Sequence, residues 1–111
     1  MSLDAGRRDK RIVVEIRSVE TDDYGGEVET WSEAAKPWAD VIYGAGAEQR
    51  AAAQQGASQI ASFEFPRDSR TRDINPTDHR ILFDGGIWNI TAKQELEANE
   101  GIRVTAIRAA P

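Results

Sequence analysis

Arg80 to Phe83 and Ile87 to Thr91 are two runs of β-favouring residues separated only by Asp84-Gly85-Gly86. Asp and Gly tolerate the positive φ that a tight hairpin turn demands and that other side chains resist. The stretch therefore reads as a β-hairpin, and a tight hairpin commits its two strands to antiparallel pairing. The rest of the chain keeps the same habit. Arg11 to Val19 alternates, with Ile12, Val14 and Ile16 on one face and Glu15 and Arg17 on the other. Asp22 to Glu27 is a turn cluster, Val28 to Ser32 returns as a second strand, and Pro37 separates it from a third at Trp38 to Tyr43. Further strands are expected at Ser58 to Phe65, Arg80 to Phe83, Ile87 to Lys93 and Ile102 to Arg108. Short strands with turn signals between them predict a mainly β fold, a small antiparallel β-barrel or sandwich.

One segment breaks the pattern. Gly44 to Gly56 is built of Ala, Gln, Glu and Arg with a glycine at each end. These are helix formers, so a short helix or a long mobile loop with helical tendency is expected here, inserted after the third strand, with its core at Gly46 to Gln55. A helix this short is marginal unless something holds it.

The chain has 111 residues, 40% of them hydrophobic, which suits a single domain over 1–111 with a modest core. Cysteine is absent, so disulfides, thiolate metal sites and cysteine nucleophiles are excluded. Residues 1–9 carry charge but no apolar core segment, which reads as a flexible tail rather than a signal peptide. No run approaches the roughly 20 apolar residues of a membrane span, so no membrane partner is expected. A net charge of −5 counts against a general nucleic-acid binder, because phosphate contact depends on Lys and Arg. The charges are nonetheless segregated. Arg7, Arg8, Lys10 and Arg11 form one basic group and Arg67, Arg70, Arg72 and Arg80 another. Acids gather at Glu20, Asp22, Asp23, Glu27, Glu29 and Glu33, and again at Glu95, Glu97 and Glu100. Solvated loops would look like this; so would a subunit with a positive and a negative side, suited to a ring of head-to-tail copies.

Candidate chemistry is thin. Gly44-Ala45-Gly46 opens a helical stretch after a strand, but the third glycine of a dinucleotide fingerprint is missing and there is no βαβ context. His79 is the only histidine; it lacks a second soft ligand for a metal, and its neighbour Asp78 would point to the opposite face of a strand, so it reads as a residue that opens a strand. Asp22, Asp23 and Asp84 sit in glycine turns, where Asp serves the backbone. No catalytic residue, cofactor or metal is expected. The aromatic residues Trp31, Trp38, Trp88, Tyr24, Tyr43, Phe63, Phe65 and Phe83 could serve as core and subunit contacts. They could also form the stacking platform of a small OB-like module that binds single-stranded nucleic acid.

In order, the chain shows a basic lead-in with Arg11 to Val14, then Thr21-Asp22-Asp23-Tyr24-Gly25-Gly26-Glu27-Val28, Thr30-Trp31 and Pro37-Trp38-Ala39-Asp40-Val41. Phe63-Glu64-Phe65, an Arg-rich loop with Asn75-Pro76, Arg80-Ile81 and the Asp84-Gly85-Gly86 hairpin complete the series. This ordered set, from Arg7 to Arg108, resembles the head–tail joining (stopper, head completion) proteins of tailed bacteriophages. Pro66, where the family continues basic, and the alanine-rich Gly44 to Gly56 segment depart from it.

The resemblance implies a non-enzymatic β-barrel subunit of the head–tail connector of a phage or prophage, assembled in the bacterial host cytoplasm and located in the virion. Its expected partners are further copies in a homo-oligomeric ring, the portal and adaptor proteins, and a tail-completion protein. Packaged DNA would pass through without sequence-specific binding. By the same resemblance the channel-facing or gating segment is Gly44 to Ser58, with Gly44, Gly46, Glu48, Gln49, Arg50, Gln54, Gln55 and Gly56 as its candidate residues. The charge segregation nominates Arg67, Arg70 and Arg72 against Glu27 and Glu29 at the subunit interface.

Overall fold

The computed structural model describes residues 9–54, 56–96 and 101–109. The expected tail at 1–9 lies outside them except for Asp9, as do Arg7, Arg8, Gln55, Glu97 and Glu100. Eight strands and one helix follow one another as β1 (Lys10–Arg11), β2 (Val13–Thr21), β3 (Glu27–Ala35), β4 (Trp38–Tyr43), α1 (Gly46–Gln54), β5 (Ala57–Pro66), β6 (His79–Phe83), β7 (Gly86–Glu95) and β8 (Gly101–Ala109). All pair antiparallel in the order β1-β4-β5-β8-β7-β6-β2-β3, and the sheet curls into a half-barrel.

The chain's first segment ties the two ends of that curl together. Lys10 and Arg11 pair with Ala39 and Trp38 of β4, whereas Val13 to Ile16 pair with Leu82 to His79 of β6. Between them Ile12 breaks the expected single strand in two; its amide donates to the carbonyl of Pro37 at 3.2 Å and its side chain is wholly buried. Inside the curl, Ile12, Val14, Phe63, Phe65, Ile81, Trp88, Ile102 and Val104 form the core. Trp88 is at its centre, edge-on to Phe63 with centroids 5.3 Å apart, and its Nε1 donates to the Phe83 carbonyl at 3.2 Å. Along β5 the core side chains Ala61, Phe63 and Phe65 alternate with Ser62 and Glu64; Glu64, though buried, is ion-paired with Arg103.

The Asp84-Gly85 turn is as its residues require, with φ of 52° and 72°, the left-handed pair of a two-residue hairpin. The alternation of Ile12, Val14 and Ile16 is only half realised. The first two are fully buried, but Ile16 is 38% exposed because β2 leaves the barrel there. Beyond Ile16, Arg17 to Thr21 pair only with β3, from Trp31 to Glu27. The result is a two-stranded ribbon whose residues 16–30 are all exposed. It extends roughly 17 Å past the barrel, at about 3.3 Å per residue, before its turn. Asp22 shapes that turn by accepting the amides of Tyr24 and Gly26 on Oδ1, with Gly25 at φ 80°.

Candidate functional site

Three features project from the curled sheet, and they hold the residues singled out by sequence. The first is α1. Of the two alternatives for Gly44 to Gly56, the structure forms the helix and docks it on β5. Gln49 is the tether: its Nε2 donates to the carbonyls of Gly44 (3.1 Å) and Ile60 (3.0 Å), and its Oε1 accepts the Ile60 amide at 2.9 Å. One side chain thus supplies the hydrogen bonds that a neighbouring strand would have given. Ala52 is buried beneath the helix, while Glu48, Arg50 and Gln54 face solvent. Gly44 is required by the close approach, since a Cβ there would lie 2.8 Å from Cγ2 of Ile60. Gly46 begins the helix and Gly56, at φ 81°, turns the chain back into β5; Gln55 lies outside the described residues.

The second is the loop between β5 and β6. Asp68 accepts the amides of Arg70 and Thr71 on Oδ1 at 2.8 and 3.0 Å, and Thr71 Oγ1 donates to the Pro66 carbonyl. Asn75 accepts the amides of Thr77 and Asp78, and its own amide donates to Nδ1 of His79. His79 opens β6 as expected, is buried, and serves this turn; burial holds its pKa below the ordinary value of 6.5. With these turns fixed, Arg67 reaches Glu95 at 3.3 Å and Arg72 stays on the loop surface beside Asp73. Arg70 instead lines a cleft of about 310 Å³ with Arg11, Lys36, Pro37 and Asp68. The three nominated arginines thus have different neighbours, and Arg70 alone meets two cations, Arg11 and Lys36, from the first part of the sequence. Lys36 carried no signal of its own, being a single lysine before a proline. A second hollow of about 400 Å³ lies over the β6–β7 turn, lined by Arg11, Leu82, Phe83 and Ile87.

The third is the ribbon. One of its faces carries a row of interlocked groups. Arg80 donates to Glu15 at 2.8 Å and lies 4.1 Å from the Trp31 ring, while Arg17 and Trp31 Nε1 both donate to Glu29. Those two bonds, the Arg17 one above all, lower the pKa of Glu29. Glu29 is therefore engaged within its own ribbon. Glu20, Asp23 and Glu27, nearer the tip, have no ion pair among the described residues, and Tyr24 is 98% exposed.

The aromatic residues divide in the same way. Phe63, Phe65 and Trp88 are wholly buried and Phe83 packs against them, whereas Tyr24, Trp38 and Tyr43 are exposed. Among the described residues no group of three His, Asp or Glu side chains could hold a metal ion, and no helix is long and apolar enough to cross a membrane.

Residues 3–110 match the family described as phage head completion protein. No curated protein matches the chain. Among solved structures, a Shigella flexneri 2a protein determined in solution superposes with a TM-score of 0.73 at 22% identity, over 97% of this chain and 98% of that one. A chain from the virion of a native gene transfer agent particle superposes at 0.59 with 19% identity, over 92% and 94%. Both are likenesses of fold.

Proposed function

Because the chain belongs to the phage head completion protein family, we propose that it is a subunit of the head–tail connector, forming a homo-oligomeric ring that joins the portal and adaptor to the tail and helps close the DNA channel. The family is one of structural virion proteins, not of enzymes, and its members act with other components of the phage head. The virion is accordingly the place of action, with assembly in the bacterial host cytoplasm.

The observation that carries the reading is the family match across nearly the whole chain. The architecture supports it: a tied-together curl of strands offers a rigid body, and the ribbon, α1 and the basic loop offer attachments. In this reading α1 and its flanks, Gly44 to Ser58, face the channel. Its exposed Glu48, Arg50 and Gln54 present mixed polarity to DNA, and a chain of net charge −5 gives the duplex little to adhere to. In the same reading Arg67, Arg70 and Arg72 on one side, with Glu27 and Glu29 on the other, border the contact between subunits; Arg70 and Glu27 bring charge that makes no ion pair among the described residues, while Arg67, Arg72 and Glu29 are already paired with Glu95, Asp73 and Arg17.

In-frame deletion of Ala47 to Gln54 is the direct test. The helix packs chiefly on β5, with Ala52 its buried residue, so the variant is expected to fold. Particles carrying it should package DNA and then lose it, or fail to add tails. Particles that retain DNA and carry tails overturn the channel-closing role. Failure of the wild-type protein to bind a purified portal–adaptor complex, measured by light scattering, overturns the connector assignment itself.

A further inference from the structure

The ribbon tip and the basic cleft lie at opposite ends of one strand. The tip is the turn before Glu27, and the cleft is lined by Ala35, Lys36 and Pro37 at the other end of β3. Eight residue steps at about 3.3 Å separate Glu27 from Ala35 by roughly 26 Å, so a straight ribbon cannot fold back onto its own cleft. The two ends are opposite in charge. Glu20, Asp23 and Glu27 crowd the tip without ion-pair partners among the described residues. In the cleft Arg11, Lys36 and Arg70 make no ion pair with a carboxylate among the described residues, and Asp68 is turned onto two backbone amides. Tyr24 at the tip has its ring almost entirely in water, an arrangement that stands out in a chain able to bury Trp88 completely. Trp38, half exposed with Arg11 5.1 Å above its ring, directly follows Pro37 of the cleft in the chain.

We propose that the acidic tip of the β2–β3 ribbon docks into the Arg11–Lys36–Arg70 cleft of a second copy of this chain, Tyr24 lying against Trp38. The proposal rests on the ring reading above and names its contact. Tip and cleft are different surfaces, so the interface is heterologous: each copy offers a free tip and a free cleft, and the series ends only by closing on itself. A desolvated aromatic at the centre with charge pairs around it is the composition of a strong contact point.

The absence of cysteine makes the test clean. Asp23→Cys and Lys36→Cys are placed in one full-length chain, assembled on portal–adaptor complex and oxidised. The docking gives a ladder of disulfide-linked multimers, whereas mixing the two single-cysteine proteins gives dimers and nothing larger. Asp23→Lys with Glu27→Lys weakens self-association at least tenfold, and Lys36→Glu with Arg70→Glu in the partner restores it. Assembly of the wild type without any cross-link in the double-cysteine protein overturns the docking and leaves the ring standing. No self-association of the wild type overturns both. If Lys36→Glu with Arg70→Glu leaves association intact and abolishes binding of a duplex oligonucleotide, the cleft is a phosphate site and the proposal falls.

Discussion

Gln49→Ala removes three hydrogen bonds, two that hold α1 to Ile60 of β5 and one to the Gly44 carbonyl ahead of the helix. Each such bond is worth about 1 kcal/mol net, and the freed groups at Gly44 and Ile60 are half-buried, so water recovers part of the loss. A cost of about 2 kcal/mol follows, roughly a 30-fold change in the opening equilibrium at 1.36 kcal/mol per decade. The cost should be local. A helix of nine residues is marginal by itself, and α1 has only Ala52 buried against the sheet. Amide hydrogen exchange followed by mass spectrometry or NMR separates the possibilities. Protection across Gln49 to Gln54 should fall by about 30-fold, while β7 and β8, around Trp88 and Val104, keep theirs. Equal loss throughout all strands would refute the reasoning, because α1 would then be part of one cooperative unit with the barrel. Unchanged protection of the helix would refute it too, because the Gln49 bonds would then contribute nothing.

Trp88→Ala should act in the opposite way. It empties the centre of the core, and urea unfolding is expected to show a loss of about 3–5 kcal/mol, shared by every strand. His79 gives a pH signature. Burial lowers its folded pKa, so on acidification the unfolded chain takes up a proton near 6.5 that the folded chain still refuses. Its contribution is whole above that value, falls as the pH drops below it, and levels off once the lowered folded pKa is passed. Thermal melts between pH 8 and pH 5, with His79→Gln as the flattened control, measure the slope.

The turn residues and the alternating runs place the hairpin at Asp84-Gly85, and the Ala-Gln-Glu-Arg segment marks where a helix or a mobile loop interrupts the strands. Both follow from local rules: a positive φ and a preference for helix are properties of a few neighbouring residues. What sequence could not carry was partnership. The Ile12–Val14–Ile16 stripe gives a common face but not the point at which β2 parts from β6, and so it did not reveal that Ile16 is exposed. The reach of Gln49 to Ile60 depends on how the chain folds back over eleven residues. The hold of Arg17 and Trp31 on Glu29 depends on the pairing of the ribbon. The cleft joins Arg11, Lys36 and Arg70 from three separate stretches, a meeting that only the tertiary fold creates.

One segment, residues 10–21, couples these parts. Its first two residues pair with β4, its next buried pair, Ile12 and Val14, enters the core, and its last five form half of the ribbon. The ribbon base is also fastened to the basic loop and β6, by the Arg17 amide on the Asp78 carbonyl at 2.8 Å and by Arg80 between Glu15 and Trp31. A contact made at the tip therefore pulls along β2 on the strand that ties the two ends of the sheet together. An antiparallel strand loaded along its length is resisted by all its ladder bonds at once, and here also by a buried isoleucine and valine. The ribbon can accordingly be exposed along its whole length and still be fixed in direction at its root. That combination would suit the ring subunit proposed above, whose neighbours would have to hold one another in place.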